Sequence, residues 1–300
     1  MNRHYLITGG TGFIGSHLCR NLLQQGGYVT VLTRSPAKYR EEQSRNQKFV
    51  SWDSDLNRVM NEADMVIHLA GENLFSSRWT KKVKQSLYDS RIETTNKLVE
   101  AMISAENPPE LLVSASGINI YGDHGDRLID EKSGAGDDFL AQLCIDWEAA
   151  AHRAKEAGVR VAIPRFGIVL QKDGGALEQL KWPYHFFIGG PLGSGQQYLS
   201  WIHMEDLCRA LLWPLEQDGF RGVYNACSPS PVTMRELADS IGNVLNRPSF
   251  FRVPEPLLRW VLGEAAKPIT GSVRAVPGSL VDSGFQFQFG DLNEALADLL

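Results

Sequence analysis

The sequence predicts an α/β fold: a doubly wound parallel sheet with a smaller C-terminal lobe. Three observations carry this. Short β-branched runs alternate with helical stretches through the first 170 residues, a glycine-rich turn joins the first run to the first helix, and the alternation is lost afterwards.

Taken in order, Tyr5-Leu6-Ile7 reads as a buried strand. Phe13, Ile14, Leu18 and Leu22 then mark one helix face, and Gly26-Gly27 ends it. Tyr28-Val29-Thr30-Val31-Leu32 is the second strand, Phe49-Val50-Ser51-Trp52 the third, and the run from Met65 to Ala70, stopped by Gly71, the fourth. A helical stretch follows from about Thr80 to Ala105, closed by Asn107-Pro108-Pro109. Leu111-Leu112-Val113 is the fifth strand. A helix with apolar positions Phe139, Leu143, Trp147, Ala151 and Ala154 ends at Gly158, and Val159 to Ile163 is the sixth strand. Strands alternating with helices in this way imply right-handed crossovers and one parallel sheet. Beyond residue 170, Gly174-Gly175 and the stretch from Gly189 to Gly195 are loop chemistry. Glu205 to Leu215 and Met234 to Leu245 look helical, and a terminal helix begins near Leu292. The expected division is a dinucleotide-binding domain over 1–170, with 200–228 returning to it, and a smaller lobe from 171–199 and 229–300.

Composition bounds the partners. With 300 residues, 43% hydrophobic and 22% charged, the chain has the balance of a globular protein rather than a disordered one. Thirty basic against 35 acidic residues leave −5, which argues against a nucleic acid or an anionic membrane as partner. No apolar run approaches the roughly 18 residues of a membrane span. Met1-Asn2-Arg3-His4 leads straight into a strand-like run without signal-peptide architecture. Cys19, Cys144, Cys208 and Cys227 lie far apart with no Cys-x-x-Cys pair, so neither a disulfide scaffold nor a metal site is expected, and a reducing, cytoplasmic setting is.

The turn Thr8-Gly9-Gly10-Thr11-Gly12-Phe13-Ile14-Gly15 carries the most chemistry. Gly9 permits the tight exit from the strand, Gly12 lets a pyrophosphate approach the backbone, and Gly15 lets helix and strand close together. Unpaired amides at the helix start suit an anion, so Thr11, Phe13 and Ile14 join the three glycines as the expected dinucleotide contacts. The fold is thus a Rossmann-type one. The second strand ends Leu32-Thr33-Arg34-Ser35, with Arg34 at the distance where NAD-binding chains place a carboxylate for the ribose 2′-hydroxyl. A guanidinium there pairs with the extra phosphate of NADP, with Thr33 and Ser35 as added hydroxyls; the sequence predicts NADP(H).

These residues, with Leu69-Ala70-Gly71, Ser114-Ala115-Ser116 and Tyr121-Gly122, resemble the extended short-chain dehydrogenase/reductase superfamily. More narrowly, the chain resembles an atypical branch called epimerase family proteins, with a C-terminal domain of unknown function. The marks are Ala70-Gly71-Glu72, Arg78-Trp79, Ser90-Arg91, Gly136-Asp137-Asp138-Phe139, Trp147-Glu148, the stretch from Gly189 to Gly195, Trp201-Ile202-His203, and a tail from Leu262-Gly263-Glu264 to Ala295-Leu296. The resemblance implies a Ser or Thr that polarises a carbonyl and a Tyr with a Lys four residues later. None of the eight tyrosines has lysine at that spacing, and alignment on Glu148 puts Leu140 and Cys144 in the two slots. It also implies that Leu69, Ala70 and Gly71 line the adenine-ribose side and that Val169, after Pro164-Arg165-Phe166-Gly167, touches the cofactor. Arg91 stands where the superfamily tends to have asparagine, and either reaches a cofactor phosphate or ribose or makes a surface salt bridge.

Candidates for catalysis are Ser116, at the carboxyl edge of the sheet, where it either bonds a substrate carbonyl or satisfies a turn; Tyr121, either a spare proton donor or packing; and Asp138, either a general base or, with Asp137, the cap of the following helix. His203 and Asp206 read as helix-start residues, and Asp53 as a solvated aspartate or an adenine contact. The substrate expected is an unidentified small molecule, with either an NADP(H)-dependent oxidoreductase or epimerase around it, or a catalytically weak NADP(H)-binding module. The oligomeric state is not legible.

Overall fold

Seven strands form one parallel sheet: β1 (His4–Thr8), β2 (Tyr28–Thr33), β3 (Gln47–Ser51), β4 (Met65–His68), β5 (Leu111–Ser114), β6 (Arg160–Phe166) and β7 (Gly222–Ala226). The spatial order is β3-β2-β1-β4-β5-β6-β7, and a two-residue stretch, Ser116–Gly117, continues beside the end of β6. The computed structural model describes residues 3–300; Met1 and Asn2, and the reading of the extreme N-terminus that used them, lie outside the described residues. Strand order reverses between β1 and β4, the place where open parallel sheets bind ligands beyond their carboxyl ends.

Adjacent residues of a strand point to opposite faces, and both faces are covered. On one face Ile7, Val31, Ile67 and Val113 pack with Leu18 and Leu22 of α1 (Phe13–Gln24) and Leu207 and Leu211 of the helix Met204–Glu216. On the other, Leu6, Leu32, Val66 and Leu112 pack with Met60 of α2 (Leu56–Glu62), with Leu98, Val99 and Met102 of α3 (Lys81–Ser104), and with Ala151 of α4 (Phe139–His152). The near-continuous apolar runs of the strands follow from this double burial.

Three details differ from the sequence expectation. The sheet has seven strands rather than six, because Gly222–Ala226 pairs along β6; its apolar run is only Val223-Tyr224, too short to read as a strand alone. The fourth strand stops at His68, because the amides of Leu69 and Ala70 turn back to the carbonyl and hydroxyl of Thr8. The sixth runs on through Pro164 to Phe166. Pro164 falls between the pairings Val113↔Ala162 and Ser116↔Arg165, where the ladder on that side is interrupted anyway.

Beyond β6 a separate apolar cluster joins Leu177, Tyr184, Trp201, Leu237, Ile241, Leu296 and Leu299. Two separate short strand pairs lie beyond the main sheet: Ile168–Leu170 with Trp201–His203, and Leu128–Ile129 with Arg274–Ala275. Asp206, fully buried, accepts from the amides of Gln288 and Phe289 and ties the tail down. Among the described residues no helix is long and apolar enough to cross a membrane.

Candidate functional site

At the end of β1 the chain builds an anion-ready turn from backbone alone. Gly9 has φ +69°, and a Cβ there would sit 2.7 Å from the Leu69 carbonyl oxygen, so only glycine satisfies both demands. A Cβ at Gly15 would lie 2.2 Å from the Gly9 oxygen, so this glycine lets α1 close onto the turn itself. Gly12 is the N-cap of α1, and no side chain caps the helix. Its first-turn amides therefore face outward beside exposed Thr11 and Phe13, with the positive end of the helix dipole behind them. Phe13 leans on Gly174 and Gly175 across the turn.

One strand over, Arg34 is exposed at the end of β2, and Thr33 accepts from the Ser35 amide at 3.4 Å. Asp53 is exposed and accepts from Ser51. On the other side of β1, His68 ends β4 fully buried. Its ring bonds Thr8 (2.6 Å) and Thr95 (2.9 Å), and Trp147 donates to Thr95. Burial, and after it the Arg91 charge, pull His68 from the ordinary histidine value down to about 3, so the ring is neutral. Leu69 and Ala70 leave the sheet half-buried and Gly71 is exposed.

Arg91 is buried on α3, not spread on the surface. Its guanidinium donates to the carbonyls of Leu87 and Glu72, lies 5.2 Å over the Trp147 ring, and closes against Gly71. Among the described residues it has no carboxylate partner, which removes the surface salt bridge expected as one alternative. Val169 is half-buried in the short strand beyond β6.

At the carboxyl edge of β5 the side chains are tied to one another. Ser116 donates to Glu148 Oε1 at 2.7 Å. Arg165 grips the same carboxylate with Nε and Nη2, both at 2.8 Å, and its Nη1 donates to the Tyr121 hydroxyl at 2.9 Å. Tyr121 donates to Asn225 Oδ1, and Asn225 Nδ2 to the Val276 carbonyl. All five residues are buried. The Tyr121 hydroxyl, read from the sequence as either a proton donor or packing, is enclosed: it accepts from Arg165 and donates to Asn225, and burial pushes its pKa up to about 12. Cys144 and Leu140 are buried on the same helix, and burial, then Glu148, raises the Cys144 thiol to about 11.

Asp138 caps α4, accepting from the Ala141 amide at 2.9 Å, while Asp137 is exposed. Asp138 also borders a cavity of about 20 Å³ with Trp79, Phe139, Leu140, Glu264 and Lys267. His203 caps the helix Met204–Glu216 through Nδ1 and stacks on Phe289. In the sequence His68, Arg165 and Asn225 carry no assigned role, and Glu148 stands only as a mark of the resemblance and an alignment point. The available signal was a charged or polar residue embedded in an apolar run: His68 after Met65-Val66-Ile67, and Arg165 after Val161-Ala162-Ile163-Pro164. Among the described residues no cluster of three His, Cys, Asp or Glu has the arrangement of a metal site.

Residues 5–170 match the NAD dependent epimerase/dehydratase family, and residues 253–299 match a domain of unknown function, DUF1731. The chain is 37% identical over 301 residues to the epimerase family protein SSP1921 of Staphylococcus saprophyticus, covering 99% of each chain. It is 36% identical over 298 residues to the epimerase family protein YfhF of Bacillus subtilis, covering 98% of this chain and 97% of that one. The crystal structure of human epimerase family protein SDR39U1 (isoform 2) with NADPH superposes with a TM-score of 0.90 at 33% identity, covering 99% of this chain and 98% of that one.

Proposed function

The chain belongs to the NAD dependent epimerase/dehydratase family, and from that premise we propose that it binds NADP(H) and acts as an oxidoreductase or epimerase-like enzyme on a small molecule. The observation that carries the cofactor reading is the turn at α1. Its glycines leave no room for a Cβ on the inner side, and no side chain caps the amides on the outer side. Such a cradle fits a diphosphate. Gly9, Thr11, Gly12, Phe13, Ile14 and Gly15 hold it. Arg34, with Thr33, takes the phosphate of the adenosine ribose. Leu69, Ala70 and Gly71 form the wall beyond β4, Arg91 behind Gly71 reaches a cofactor phosphate or ribose, and Val169 lies on the nicotinamide side. When bound, the cofactor supplies or accepts a hydride. Ser116 faces the reacting end, and Asp138 at the mouth of α4 is the one candidate base not sealed among the buried side chains. The free, buried thiols fit a reducing, cytoplasmic setting.

Titration of NADPH and NADH into wild type and Arg34→Asp by calorimetry tests the reading. Wild type is expected to prefer NADPH, and the variant to lose that preference. Absence of heat with either coenzyme sinks the proposal.

A second reading, a binding module with little turnover, is favoured by one feature. Tyr121, the tyrosine of this edge, is sealed, and Leu140 and Cys144 supply neither a proton nor a permanent cation. Incubation with NADPH and a panel of aldehydes, ketones and nucleotide sugars separates the two. Turnover lost in Ser116→Ala supports the enzyme; tight NADPH binding without turnover supports the module.

A further inference from the structure

We propose that Ser116 meets its ligand as a hydrogen-bond acceptor, so that the ligand group against it is a hydroxyl rather than a carbonyl oxygen, and that Glu148 is the positioning residue that sets this polarity. The inference rests on the reading of Ser116 as a ligand contact.

The direction of every bond behind Ser116 is forced. Arginine has donors only, and a carboxylate has acceptors only. Arg165 therefore donates to Tyr121, whose single proton goes on to Asn225. Asn225 is held the matching way round because its amide nitrogen donates to the Val276 carbonyl. At the other end, Arg165 donates twice to Glu148, and a carboxylate so gripped is not the donor in its contact with Ser116. Ser116 has one proton, and at 2.7 Å it lies on Glu148 Oε1. The Oγ lone pairs are what remains to meet a ligand. The Cys144 side chain, in hydrogen-bond reach of Ser116, stays a thiol: its S–H can occupy one Oγ lone pair and leave the other, and it offers no charged acceptor to draw that proton away. Turning the proton outward would forfeit a charge-assisted bond inside a buried network, a bias of roughly ten- to hundredfold. A ligand carbonyl would thus meet lone pairs with lone pairs, whereas an alcohol completes the chain by donating to Ser116.

Neutron diffraction from deuterium-exchanged crystals tests the polarity on the protein itself. The expected result is a deuteron on Ser116 Oγ along the line to Glu148 Oε1, with neither Glu148 oxygen deuterated. A deuteron on Glu148, with that of Ser116 turned outward, overturns the inference. A second arm uses cyclohexanol and cyclohexanone as probes, with binding read by saturation-transfer NMR on wild type and Glu148→Gln. This substitution replaces the charged acceptor of the Ser116 proton with a neutral amide and weakens the hold on it, so preference is expected to move about tenfold from alcohol toward ketone; an unchanged preference overturns the assignment. NADPH calorimetry on the same preparations separates the two levels. NADPH heat together with an outward deuteron sinks this inference alone, whereas no NADPH heat sinks the broader reading whatever the deuteron shows.

Discussion

The turn after β1 and the edge after β5 lie at the same end of one sheet, yet they are built oppositely. The first uses main chain and the lack of side chains: Gly9, Gly12 and Gly15 leave amides open to solvent. The second uses side chains bonded to each other: Glu148 accepts from Ser116 and from Arg165, and Arg165 also donates to Tyr121, which donates to Asn225 and so on to a backbone carbonyl. A site of the first kind binds by leaving hydrogen bonds unmade. A site of the second kind fixes the orientation of a buried hydroxyl, that of Ser116, by making the bonds behind it.

The strongest way to break this contrast is Arg165→Met. Removing one partner of a buried pair leaves Glu148 unpaired, and a loss of about 3–5 kcal/mol is expected in urea unfolding. A loss below about 1 kcal/mol would mean that the edge is wetter and looser than it looks. Next comes Arg34→Asp at the open site, expected to weaken NADPH roughly ten- to hundredfold by calorimetry while leaving NADH and the unfolding curve unchanged.

His68 lies between the two regions and sharpens the contrast through pH. Its folded pKa is depressed to about 3 by burial and Arg91, whereas the unfolded chain takes up that proton near pH 6.5. Between these values the unfolded state binds more protons. The His68 contribution is therefore full above pH 6.5 and is lost as pH falls toward 3, at about 1.4 kcal/mol per unit. Urea unfolding at pH 7 and pH 5.5 should show that slope in wild type and a flatter one in His68→Gln; equal slopes would place the histidine in contact with water. The smallest effect expected is from Tyr121→Phe. It removes one hydroxyl from the network, about 1 kcal/mol of stability, and leaves NADPH affinity unaltered. A variant that also abolished turnover of a substrate found later would return Tyr121 to the chemistry.

Much of the sheet was legible because its strands are short apolar runs buried on both faces, and the helices between them end at Gly26, Gly158 and the Pro108-Pro109 pair. The edge strand Gly222–Ala226 was not, since its pairing along β6 rather than its composition makes it a strand. Arg91 shows the same limit: its place on α3 was readable, but its burial between Trp147 and Gly71 was not.

What the sequence determined by itself was the alternation of elements and the bare turn, because hydrophobic period and missing Cβ atoms act within a few residues. What only the tertiary structure decided was the polarity of the β5 edge. Glu148 lies 17 residues from Arg165 and Tyr121 lies 104 from Asn225, and whether a charged or hydroxylic side chain is an open reactant or a sealed support depends on which distant donors share its dry surroundings.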